Sequence, residues 1–324
     1  MTQVMDAMTG CVGAELAAVE RLFSHELASE IKCVNALVKH VSRYHGKMLR
    51  PSLVLLTGKA CGSLVDAHLV VATVVEMVHM ATLVHDDVLD EAELRRKGAT
   101  INHLRGNEAA VLLGDYLISH SYHLCSSIDS QFASRLIART TNEVCEGELL
   151  QIQNRNNLDL DEATYLSIIE RKTAVLCAVC CMLGASLAGA EERRVEQARE
   201  YGLCLGIAFQ VQDDILDIVG QEQTVGKTLG TDLEKGKLTL PMIHFMATAP
   251  REHRQLLRSL MQRREADRME KIRNLILPSH SIEYAKERAC GYVQRARTAL
   301  QDWPDGDAKM VLEAVAGFVV NRAG

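Results

Sequence analysis

This sequence predicts an all-α protein, a helical bundle around a central cavity, and three observations carry the prediction. None of the five prolines falls between Pro51 and Pro241. The long stretch between them is rich in Ala, Leu, Val and Glu, which favour helix, and its polar links are short. No polar and apolar alternation runs far enough to make a useful strand. A hydrophobic share of 48% with only 4% aromatic residues then implies aliphatic and small side chains between closely spaced helices. The 324 residues show no low-complexity linker and no periodic repeat, so 1–324 is expected to form a single domain.

The elements follow in order. Residues 14–41 are amphipathic, 42–47 form a polar break, and Leu49-Arg50-Pro51 restarts a helix. Residues 69–90 form a long apolar helix that ends in His85-Asp86-Asp87-Val88-Leu89-Asp90. The charged segment 91–106, with Gly98 and Gly106, reads as a loop over a site. Four helical stretches come next, at 107–127, 130–154, 161–189 and 194–220; Asp161 and Glu162 complement the N-terminal dipole of the third. Gly220, Gly226, Gly230 and Gly236 punctuate a lysine-bearing segment that ends at Pro241 and is expected to act as a flexible lid. The rest is helical and more polar, interrupted at Pro278 and at Trp303-Pro304.

A net charge of −6 without a basic stripe argues against a nucleic-acid partner. The ten cysteines are scattered through apolar helical segments and no signal peptide opens the sequence. Free thiols in a reducing cytoplasm are the expectation. Cys177 and Cys180 form a CxxC but, with Cys181, lie in the apolar run 174–190 and read as core thiols. That run is short for a bilayer span. No transmembrane segment is expected, and at most transient membrane contact.

The chemistry is announced by a repeated pattern. Asp86-Asp87-Val88-Leu89-Asp90 and Asp213-Asp214-Ile215-Leu216-Asp217 both read DDxxD, and both close runs nearly free of acidic residues. On a helix the first and last aspartates of each motif lie about 40° apart around the axis, on one face. One such motif could be a solvated helix end; two are harder to dismiss. Carboxylates this close repel unless a cation sits between them. Mg²⁺ suits the role because it takes one or two carboxylates together with substrate phosphates. The pair therefore predicts a diphosphate held by metal ions between two helices that face each other across the cavity.

Cationic clusters supply further charge. Lys47 and Arg50 sit at a helix start, where backbone N–H groups also favour anions. Arg95-Arg96-Lys97 follows the first motif, Lys172-Thr173 precedes the apolar run, and Lys227 and Lys237 lie on the glycine-punctuated segment. His79 shares the face of Asp86 two turns earlier, the alternative being a core histidine beside Glu76. Gln210 shares the face of Asp213 and can offer an amide N–H to a phosphate oxygen.

GKMLRP, EMVHMATLVHDDVLDEAELRR, CEGELLQ, RKTA, FQVQDDILD and GKTLGTDLEKGKLTLP occur here in fixed order. In these the chain resembles the trans-isoprenyl diphosphate synthases, from about Lys47 to Arg322. The resemblance implies an all-α prenyltransferase, usually a homodimer, joining isopentenyl diphosphate to an allylic diphosphate primer. It implies three Mg²⁺ per active site, two held by Asp86 and Asp90 and a third by Asp213 with Asp214 and Asp217 nearby. Arg95, Lys172, Thr173, Gln210 and Lys227 would grip the allylic diphosphate, with Lys237 close behind. Lys47, Arg50, His79 and Arg96 would form a metal-free pocket for isopentenyl diphosphate. Candidate catalytic residues are thus Asp86, Asp87, Asp90, Lys172, Asp213 and Asp214. Three departures stand out: Met48 replaces a commonly basic residue, Lys97 separates Arg96 from Gly98, and Thr231 stands where lysine is frequent. None touches an aspartate.

Product length is expected to be set on the helix that precedes Asp86. Ala81 and Thr82, five and four residues before it, and Val78, about one turn further, are taken to point into the cavity, where a bulky residue would act as a floor. Short-chain members of the family tend to be aromatic here. Small residues therefore imply a long-chain, octaprenyl-like product of the kind used for quinone side chains. The alternatives are a short-chain (farnesyl or geranylgeranyl) synthase, a terpene cyclase, which needs no isopentenyl pocket, and a non-catalytic subunit or helical scaffold.

Overall fold

The long proline-free stretch does fold as helices linked by short turns. The computed structural model describes residues 2–44, 46–95, 98–220, 233, 235–262 and 267–321. Most of the expected lid, with Gly226, Lys227, Gly230 and Thr231, lies outside the described residues, as do Arg96, Lys97 and Arg322. By compactness the chain divides into two units. One comprises Met1–Thr141, Leu176–Gly202 and Ala299–Val315, the other Asn142–Val175, Leu203–Thr298 and Ala316–Gly324.

The first unit opens with α1 (Thr2–Glu26), kinked at Val12, and α2 (Lys32–Val41). The sequence suggested a single amphipathic stretch over 14–41. Instead the chain breaks before α2, where Ile31 is extended and its N–H donates to Ser29 Oγ at 3.1 Å. A 3₁₀ turn at Ser42–Tyr44 leads to α3 (Leu49–Cys61) and then α4 (Asp66–Leu89). An antiparallel pair, β1 (Leu94–Arg95) with β2 (Gly98–Ala99), and the short helix α5 (Ile101–Arg105) replace the expected loop over 91–106. Thr100 caps α5 by accepting from His103 N–H. Helices α6 (Asn107–Cys125) and α7 (Gln131–Gln153) follow as expected.

Helix α4 is the core of this unit and packs on α1, α3 and α6. Its apolar length would suffice to cross a membrane, but two thirds of its apolar window is buried in the fold. His68, fully buried near its start, donates from Nε2 to Gly184 O at 3.0 Å and accepts Val65 N–H on Nδ1 at 3.0 Å. Gly184 belongs to α9 (Val175–Leu187), where the tight packing implied by small side chains is realised. A Cβ at Gly184 would lie 2.1 Å from Thr57 Oγ1 and 2.3 Å from the Val54 carbonyl. The ten cysteines are thiols rather than disulfides, and burial pushes the Cys177, Cys180 and Cys181 thiols up, the last two well above their usual range.

In the second unit α8 (Glu162–Ile169) runs into a single π-helical turn at Glu170–Ala174, so the stretch 161–189 is not one regular helix. Asp161 is its N-cap; the Thr164 N–H it accepts holds its carboxyl below the usual range. The helix α10 (Glu192–Val219) carries the second motif. Beyond the undescribed segment come α11 (Leu240–Thr248), α12 (Arg251–Gln262), α13 (Arg268–Ile276) and α14 (Ser281–Ala299), while α15 (Asp307–Val320) belongs to the first unit as far as Val315. The break at Pro250 adds to the two anticipated. Tyr165, Ile169, Ile207, Val211, Ile215 and Phe245 belong to the unit's hydrophobic core.

Replacing Gly184 by alanine forces a methyl into backbone. We expect a loss of about 1–3 kcal/mol, seen as a lower urea midpoint with unchanged slope; an unchanged midpoint would contradict the packing described.

Candidate active site

The first motif occupies the last turn of α4, whose carbonyl end carries no basic residue. Three carboxylates there oppose the helix dipole as well as one another. The fold treats them unequally. Asp87 is 1% exposed, and Arg95 grips its Oδ1 from Nε at 2.8 Å and Nη2 at 2.7 Å. Asp86 and Asp90 are only partly buried. The β1–β2 pair turns the chain back so that Arg95 can make this contact. Its approach is tied down by Ala92 N–H to Asp87 O (2.9 Å), by Thr100 Oγ1 to Ala92 O (2.6 Å), and by Asn102 Nδ2 to Asp87 O (3.2 Å) and Ala92 O (3.0 Å). Burial, reinforced by the Asp87 charge, pushes the nearby Tyr44 phenol up to about 12. One residue before Asp86, His85 lies over Gly114 of α6, whose Cβ would come 2.1 Å from the ring, and donates to Val111 O at 3.1 Å. That seat fixes the motif on its helix.

The second motif repeats the division of labour with different chemistry. Asp214 is 4% exposed. Tyr165 OH donates to its Oδ2 at 2.7 Å and Gln210 Nε2 to its Oδ1 at 2.8 Å. Asp213 and Asp217 are partly buried, like their counterparts on α4. In both motifs, then, the middle aspartate turns inward to donors of the fold. The outer two share a face, as their four-residue spacing requires.

Gln210 was expected to offer an amide N–H to phosphate. One of its two amide hydrogens is instead committed to Asp214, and its oxygen accepts from Thr173 Oγ1 at 3.2 Å. The reason is burial: a carboxylate out of water must be hydrogen-bonded, and Gln210 lies one turn from Asp214. Arg95, likewise expected on the allylic diphosphate, has two of its nitrogens on Asp87. Asp87 and Asp214, both counted as candidate catalytic groups, are anchors in this structure. Lys172 projects from the π-helical turn and pairs with Glu148 of α7. Lys237, partly buried, follows Gly236, where φ is +69° and a Cβ would come 2.2 Å from Asn156 Oδ1; only glycine fits comfortably.

Of the residues expected to bind isopentenyl diphosphate, Lys47 is exposed while Arg50 and His79 are partly buried. Arg50 Nε is buried with no hydrogen-bond partner among the described residues, a donor suited to an anionic ligand. Met48 between them is buried in the left-handed conformation at φ 49°, so the departure from a basic residue places a core side chain there. On α4 the partly exposed stripe is His79, Thr82, Leu83, Asp86 and Asp90. Thr82 therefore keeps its place beside Asp86. Ala81 and Val78 do not: both have no exposed surface, because offsets of five and eight residues rotate them towards packed neighbours. A cavity of about 700 Å³ between α2, α5 and α6 is lined by Leu37, Ile101, Leu112 and Tyr116 among others, and by neither motif.

Among the described residues no three His, Cys, Asp or Glu side chains form a ready-made metal cage. Two outward carboxylates per motif instead fit a cation completed by substrate phosphates. Tyr165 and Glu148 are the partners that sequence reasoning did not assign. Tyr165 lies in an apolar helix far from the motif it serves, and no local spacing marks it.

A family model described as polyprenyl synthetase matches residues 31–276. The chain is 33% identical to an octaprenyl diphosphate synthase of Escherichia coli over 95% of its own length and 96% of the relative's. It is 35% identical to the all-trans-nonaprenyl-diphosphate synthase (geranyl-diphosphate specific) of Rhodobacter capsulatus, with 96% of each covered. A crystal structure of polyprenyl synthase from Caulobacter crescentus CB15, complexed with calcium and isoprenyl diphosphate, superposes with a TM-score of 0.92 at 34% identity over 98% of each chain.

Tyr165→Phe removes a donor from a buried carboxylate and keeps the ring. We expect a loss of about 1–3 kcal/mol of stability, read from denaturant melts; wild-type stability would show that Asp214 does not depend on this bond.

Proposed function

The chain belongs to the polyprenyl synthetase family, and on that premise we propose how its residues work. It is a prenyltransferase that condenses isopentenyl diphosphate, head to tail and repeatedly, with an allylic diphosphate to give a long-chain polyprenyl diphosphate. It uses divalent metal, which we assign as three Mg²⁺ held by Asp86, Asp90, Asp213 and Asp217. The observation that carries this assignment is that the outer pair in each motif is partly exposed while the middle aspartate is buried. When bound, the metal neutralises the diphosphate and stabilises the negative charge that grows on it as the allylic C1–O bond breaks.

The chain's own residues do the rest. Lys172, Thr173, Gln210 and Lys237, with Lys227 and the remaining nitrogen of Arg95, orient the allylic diphosphate. Lys47, Arg50, His79 and Arg96 hold the isopentenyl diphosphate so that its double bond faces the allylic carbon. As the C1–O bond breaks, the double bond attacks C1, a new C–C bond forms, and the adduct loses a proton to the departed diphosphate. No side-chain base is required. Thr82, on the stripe of Asp86, lies beside the path of the growing chain. The family match runs through both compact units, which supports one synthase domain over 1–324. We further assign the protein to the cytoplasm as a homodimer that meets membranes only transiently to deliver its product.

The test is to incubate purified protein with Mg²⁺, isopentenyl diphosphate and an allylic primer and to weigh the products. We expect a long-chain, octaprenyl-like product from the chain alone, and shortened products from Thr82→Tyr. No turnover would favour a subunit of a heteromeric enzyme; a C15 or C20 product from the unmodified chain would favour a short-chain synthase; and an unchanged product from Thr82→Tyr would remove Thr82 from the product path.

A further inference from the structure

Helix α7 meets the π-helical turn at Gly147. A Cβ there would lie 2.5 Å from the Lys172 backbone nitrogen and 2.8 Å from Arg171 Cβ, so only glycine allows the approach. Two ion pairs flank the crossing. Arg171 pairs with Glu146 at 2.8 Å, with side chains 43% and 61% exposed. Such an exposed pair contributes little. Lys172 pairs with Glu148, and here the side chains are only 21% and 14% exposed. An ammonium this far out of water needs a partner to stay charged and in place. Its four-carbon stem would otherwise sample many rotamers. Gln151, one turn along α7, donates its amide to both Glu148 oxygens, at 3.1 and 3.3 Å, and fixes the carboxylate.

We propose that Glu148 is a positioning residue that sets the Lys172 ammonium where it meets the allylic diphosphate, an inference that rests on the role given to Lys172 above. The ammonium has three N–H donors, so the bond to Glu148 does not exhaust it. Glu148 and Gln151 then act on the substrate only through Lys172. The chemistry places the effect on one substrate alone, since isopentenyl diphosphate is assigned to other cations.

The experiment measures KM for each substrate and kcat for Glu148→Gln, Lys172→Ala and the double variant, with thermal melts to confirm folding. A charged hydrogen bond of this kind is worth about a tenfold change. We therefore expect E148Q to raise KM for the allylic diphosphate about tenfold while KM for isopentenyl diphosphate stays within about twofold. In the Lys172→Ala background the same change should add less than about twofold, because the two residues act as one unit. Should E148Q not fold, Glu148→Asp, which shortens the carboxylate but keeps its charge, should raise the allylic KM alone by about threefold. An unchanged allylic KM, equal rises for both substrates, or multiplicative effects in the double variant would overturn the proposal. An unmodified enzyme that makes no polyprenyl product would instead overturn the assigned activity.

Discussion

Carboxylates crowded on two helices must each find a positive or hydrogen-donating neighbour, and the rest of the site is arranged around that requirement. The three aspartates of either motif cannot be left to repel one another at the edge of an apolar interior. The fold pairs the middle member of each motif itself: Asp87 receives the Arg95 guanidinium on Oδ1, Asp214 the Tyr165 phenol and the Gln210 amide. The outer members, Asp86 with Asp90 and Asp213 with Asp217, are partly exposed, each pair on one face of its own helix. Those partly exposed carboxylates are where a cation brought in with an anionic ligand would bind.

Rigid packing makes that asymmetry reproducible. The close approaches at Gly184, Gly114, Gly147 and Gly236 each bring a neighbouring element nearer than a Cβ would permit. They seat His85 beside the first motif and the Lys172 turn against α7. Few aromatic residues are needed for this, and the buried cysteines on α9 serve as small apolar fillers whose thiols are kept protonated by burial. Fixed dipoles and charges of this kind can stabilise charge that develops during a reaction without reorganising.

Sequence alone made some of this legible and hid the rest for definite reasons. The helices around both motifs were readable because proline is absent and the acidic pattern ends long apolar runs. The face shared by Asp86 and Asp90 follows from helical spacing, as does the place of Thr82 and His79 on it. Ala81 and Val78 went astray for the same reason: their offsets from Asp86 rotate them off that face, and both are packed. Tyr165 and Glu148 were assigned no role because they act across sequence separations of 49 and 24 residues, and nothing in local patterning reports such pairs. The π-helical turn at Glu170–Ala174 was equally hidden, since its sequence is a good α-helix former. Arg95 shows the limit of counting charges, for a basic residue five positions after the motif proved to be partly spent on neutralising it.

We propose that the outer aspartates of both motifs hold divalent metal against one diphosphate. Calorimetric titration of inorganic diphosphate in the presence and absence of Mg²⁺ addresses it most directly, for the unmodified chain, for Asp86→Asn with Asp90→Asn, and for Asp213→Asn with Asp217→Asn. Binding should depend on Mg²⁺ and fall by about a hundredfold or more in each double variant, as expected for lost metal–carboxylate bonds. Folded variants that bind diphosphate as tightly as the unmodified chain, or binding indifferent to Mg²⁺, would contradict it.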